Sequence, residues 1–120
     1  MTAGLLCLSA LFSFAQGAEL PYTTDADSAY TSVLNQLKKD GYEIESASKD
    51  AGIQTAAVTA GRFKQTNTYL RLTLLPEEKK FRVAVYGTWR MSPASPWSTA
   101  KAQEGKAAAA ALKLKDELHW

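Results

Sequence analysis

The sequence predicts an α+β domain: a helix, a four-stranded antiparallel sheet and a second helix, with both helices on one face in a helix-grip-like arrangement. Three observations carry this expectation. Ala29, Tyr30, Val33, Leu34 and Leu37 recur at spacings of three and four, the period of an amphipathic helix. Leu70, Leu72 and Leu74, then Phe81, Val83 and Val85, recur at spacings of two, the period of half-buried strands. Ala107, Ala111, Leu114 and Leu118 return to a helical stripe near the C-terminus.

The first helix is expected over residues 25–40. Thr24-Asp25 supplies cap oxygens for free backbone N–H groups, and Asp27 adds negative charge to the first turn. Lys38 and Lys39 suit the last turn, and Gly41 ends the helix in the left-handed region with Tyr42 packing back. Tyr42 and Ile44 then alternate with Glu43 and Glu45, a strand with one wet face. A turn at Lys49-Asp50-Ala51-Gly52 leads to a second strand, Ile53 to about Phe63, rich in Ala and Thr and poorly patterned. Gln65-Thr66-Asn67 makes the next turn.

The third and fourth strands form a hairpin around Pro76-Glu77-Glu78-Lys79. If that loop closes it, Leu74 faces Phe81, Leu72 faces Val83 and Leu70 faces Val85. All apolar pairs then share one face, and a one-residue slip would destroy the match. The opposite face receives Tyr69 beside Tyr86, and Arg71 near Arg82. Trp89 has the parity of Val83 and Val85 and is expected in the core. Pro93 and Pro96 make residues 91–100 a connection rather than a regular element. Trp97 within it either plugs the end of the core or stands exposed as a contact residue. The last helix is expected over 101–118, with Leu112 off its apolar stripe.

Residues 1–18, MTAGLLCLSALFSFAQGA, read as an export signal. The uncharged run from Gly4 to Ala15 is about 12 residues, short of the roughly 20 that span a bilayer as a helix. Ala15 and Gly17 stand in the small-x-small relation of a cleavage site, and Ala18 offers a second cut. One domain, residues 19–120, would then act outside the cytoplasm, in the periplasm or cell envelope. Cys7, the only cysteine, leaves with the signal, so the domain holds itself together by packing without disulfides. No Asn-x-Ser/Thr sequon is present, which favours a bacterial envelope over a eukaryotic secretory route.

Chemistry is sparse. The only histidine, His119, is next to the C-terminus, so a Ser–His pair has no credible base. No clustered His or Cys suits a transition metal, and no glycine-rich phosphate loop occurs. Glu43 and Glu45, about 7 Å apart along a strand, and Glu77 and Glu78 on a hairpin tip read as solvated carboxylates rather than a hydrolytic pair. Catalytic residues, metals and cofactors are therefore not expected. The formal net charge of +2 gives no warrant for nucleic-acid binding. Glu104, Asp116 and Glu117 dilute the lysines of the last helix, which weakens a peripheral membrane contact through that helix and Trp120.

What is left is surface. Tyr69, Arg71, Arg82, Tyr86 and Arg90, with Trp97, form the candidate interaction surface, because aromatic and arginine side chains are enriched at protein interfaces. The competing reading is ordinary cross-strand pairing on an exposed sheet face. An envelope protein is the expected partner. A second function class is a carrier of small apolar ligands or lipid, in a cleft between helix and sheet, with Ala56, Ala57 and Ala60 making room.

The stretch from Ala29-Tyr30 to Thr55, AYTSVLNQLKKDGYEIESASKDAGIQT, carries a resemblance. Its helix ending in Asp40-Gly41-Tyr42 and its turn from Asp50 to Thr55 resemble the repeated domain of the outer-membrane assembly lipoprotein BamC and related small envelope lipoproteins. That resemblance implies a helix-grip type domain serving as a non-catalytic binding module. No functional residues carry over from it.

Overall fold

The computed structural model describes residues 17–120, so the expected signal lies outside the described residues except for Gly17 and Ala18. In chain order the elements are β1 (Ala18–Pro21), α1 (Ala26–Lys39), β2 (Ile44–Ser48), β3 (Gly52–Thr55), β4 (Val58–Ala60), β5 (Gln65–Leu75), β6 (Lys80–Arg90), β7 (Lys101–Ala102) and α2 (Glu104–Leu118). A short 3-10 turn, Pro76–Glu78, joins β5 to β6, and Lys79 closes it in the left-handed region.

The α+β class with an antiparallel sheet holds, but the four-stranded, helix-grip-like sheet is corrected. The sheet has seven strands in the order β1-β6-β5-β3-β2, with β4 also on β5 and β7 also on β6. Two of the added strands are too short to show a period. β1 offers only Leu20 as a buried residue, and β7 is two residues long. The third comes from division of the expected strand at 53–63. β3 pairs with β5 only through Ile53 and Gln54. At the next position the Thr55 hydroxyl accepts the Leu70 N–H at 2.9 Å, where a ladder carbonyl would otherwise serve. The chain leaves the sheet there, and pairing resumes in β4 with Val58 opposite Thr68.

The hairpin is built in the expected register. Leu74 faces Phe81, Leu72 faces Val83 and Leu70 faces Val85. These six residues are buried in one cluster with Leu20, Ile53, and the helix residues Ala29, Val33, Leu37, Ala107, Ala111 and Leu114. Both helices therefore seal the same face. Burying one such Leu or Phe contributes about 1.5–3 kcal/mol, so this cluster is the main source of stability.

The helix ends follow local chemistry. The Asp25 carboxylate accepts from the Ser28 N–H at 3.0 Å and from its hydroxyl at 2.8 Å. That bonding holds its carboxyl below the usual range. Gly41, at φ +96°, turns the chain so that the Tyr42 N–H reaches the Leu37 carbonyl at 3.0 Å. The C-terminus packs against the core. His119 caps α2 in the left-handed region, and Trp120 folds back beside Tyr22 and Phe81, with ring centroids 6.0 and 6.4 Å away.

Candidate interaction surface

Alternation along β5 and β6 decides which side chains escape the helices. The odd residues of β5 and the even residues of β6 point to the outer face. Tyr69, Arg71, Arg82, Tyr86 and Arg90 all obey that parity, so the sheet brings together five residues drawn from two strands. Tyr69 and Tyr86 are direct partners, their rings tilted with centroids 5.5 Å apart. Arg71 follows two positions on, opposite Ala84, and Arg82 stands opposite Thr73. The two arginines are thus diagonal neighbours. Arg71 is exposed, while Tyr69, Arg82 and Tyr86 are half-buried.

Arg90 is the most organised of the group. Its Nε donates to Gln65 Oε1 at 2.7 Å, across the strand pair. Its guanidinium lies over the Trp97 ring, 4.3 Å from the centroid. Trp97 therefore belongs to the outer face and is not a plug for the core. The connection that carries it is pinned to the strand end: the Ser98 N–H donates to the Trp89 carbonyl at 2.8 Å, and the Ser98 hydroxyl accepts from the Trp89 N–H at 2.9 Å. A cation–π contact of this kind contributes roughly 0.5–1 kcal/mol at an exposed site.

Charge on this face is uneven. At one end Lys80 is neutralised by Glu19 and, at 3.5 Å, by Glu78. Arg71, Arg82 and Arg90 have no ion pair among the described residues. Glu19 is the register neighbour of Arg82, yet its carboxylate turns to Lys80. The face thus presents three uncompensated guanidinium groups with two tyrosines and a tryptophan among them.

Trp89 is a correction. Its parity is that of the core, but it is 44% exposed. β6 outruns its cover: the Gln103 side chain, just ahead of α2, sits over Gly87, and Trp89 lies beyond it. An open cleft lies on the inner face between helix and sheet, where sequence reasoning weighed one, but its lining is different. It is lined by Tyr42, Thr68, Leu70, Val85, Lys106, Ala109, Ala110 and Lys113, with a volume of about 300 Å³. Ala56, Ala57 and Ala60, expected to make room for a cleft, do not line it; the alanines of α2 do. The signal available in the sequence was the run of alanines from 107 to 111.

Comparison with protein-family profiles, curated proteins and solved structures finds no match to this chain, so its surfaces are read from their own geometry.

Proposed function

We propose that this chain is an exported, non-enzymatic binding domain of the bacterial cell envelope, which docks a protein partner on the outer face of its sheet. The observation that carries the reading is the cluster of Tyr69, Arg71, Arg82, Tyr86, Arg90 and Trp97 on a face that neither described helix covers, with three arginines lacking carboxylate partners. Desolvated charge needs a counter-charge, so the complementary surface is acidic. Tyrosine and tryptophan bring large contact area at low entropic cost. Export rests on the composition of residues 1–18, and it agrees with a domain that uses no cysteine. A cut after Gly17 would leave β1 whole, because pairing begins with Ala18 opposite Val83.

Chemical cross-linking and pull-down from envelope extract, with the wild type and with Arg71→Glu and Tyr86→Ala, tests the reading. Both variants are expected to lose the same partner, and its retention to fall as salt rises. Retention of every partner by both variants would sink the sheet-face assignment. Mass spectrometry of the mature protein is expected to find Ala18 or Glu19 at the N-terminus; an intact Met1 would remove the export reading.

A further inference from the structure

We propose that the cleft between α2 and the inner face of the sheet binds a medium-chain fatty acid, its carboxylate held by Lys106 or Lys113. The site lies on the opposite side of the sheet from the aromatic and arginine residues and does not depend on them. Its floor is Leu70 and Val85, both nearly buried, and one wall is the Ala109-Ala110 step of α2. Tyr42 and Thr68 complete the lining. The two lysines are seven positions apart on α2, about 10 Å along the axis at 1.5 Å per residue. They stand on the cleft, exposed, and neither has an ion pair among the described residues.

Three features select this ligand. An apolar floor binds alkyl carbon through burial. Two cations on an otherwise apolar lining favour an anionic head over a neutral or cationic one. The cleft is open along one side; its volume of about 300 Å³ stands at the lower end for small-molecule sites and suits a single alkyl chain lying along it.

Titration calorimetry of the full mature chain with decanoate, decanol and decyltrimethylammonium, each kept below its micelle concentration, tests the site. Decanoate is expected to bind one to one. Decyltrimethylammonium, and decanoate on the Lys106→Glu/Lys113→Glu variant, are each expected to bind about fivefold more weakly, the effect of one exposed charge pair. Ala110→Trp fills the cleft and should abolish decanoate binding, with an unchanged circular dichroism spectrum showing that the fold is kept. If that variant is unfolded, Ala109→Gln, at the exposed rim of the same wall, serves instead. Absence of decanoate binding, equal binding of the three head groups, or full binding by the filled variant would each overturn the proposal. Because the cleft and the outer face are separate, loss of decanoate binding leaves the partner experiment unaffected, and the reverse holds as well.

Discussion

Thr55 shows how one side chain shapes a sheet. Among the described residues it is the only buried one classed as polar, 1% exposed, and its hydroxyl takes the Leu70 N–H in place of a carbonyl. An isosteric Thr55→Val substitution would leave that N–H buried and unpaired. Stability is expected to fall by about 1–3 kcal/mol, read from urea unfolding, while Thr55→Ser keeps most of it. Equal stability of Val and Thr would show that the bond contributes nothing. In the sequence this residue looked like one of several threonines in a weak strand. Pattern cannot reveal it, because the bond joins positions fifteen residues apart. Trp97 is similar: its place over Arg90 comes from the connection being pinned by Ser98. The parity of Tyr69, Arg71, Arg82, Tyr86 and Arg90, by contrast, was legible from alternation alone. Trp89 obeyed the same alternation and still came out exposed, since parity names a face and not its cover.

At the scale of elements, the two helices meet at their C-terminal ends, where Glu117 approaches Asp40. The neighbouring Asp40 carboxylate, with partial burial, holds the Glu117 carboxyl above its ordinary value of 4.5, while Lys113 and Gln36 pull it down. One Glu117 oxygen is enclosed without a partner among the described residues. The folded protein therefore holds that proton more tightly than the unfolded chain. Its contribution to stability is fully present below pH 4.5 and is lost as pH rises through the raised folded value. Asp25 at the other end of α1 works in the opposite sense. Its carboxyl is lowered, so its contribution is present above 3.8 and fades as pH falls through the folded value. Urea unfolding of Asp40→Asn is expected to lose the Glu117 part of the slope above pH 4.5 and to gain stability near neutrality. An unchanged pH profile would mean the two carboxyls do not interact. The helices themselves were readable because caps and stripes are local. Their meeting point was not, since no local rule relates residue 40 to residue 117.

For the whole molecule, the unexpected element with the largest consequence is β1. Leu20 is fully buried, opposite Phe81, and β1 lies between the edge of β6 and helix α2. Leu20→Ala is expected to lower the unfolding free energy by about 2–5 kcal/mol, a large share of the 5–15 kcal/mol typical of a domain. A loss near zero by thermal or urea unfolding would place β1 outside the cooperative core. The sequence by itself determined the two helices, the ends of α1, the central hairpin and its register, because each rests on spacing, caps or a match of apolar faces across a short loop; the start of α2 moved from the expected 101 to Glu104, because Lys101 and Ala102 pair with β6. Tertiary structure alone decided β1, β7, the division of the 53–63 strand into β3 and β4, and the lining of the cleft. A strand of two to four residues has no period to read, and its existence depends on a free edge already formed elsewhere. The cleft arises because small side chains of α2 face the sheet near Tyr42, a relation between distant segments that only packing can set.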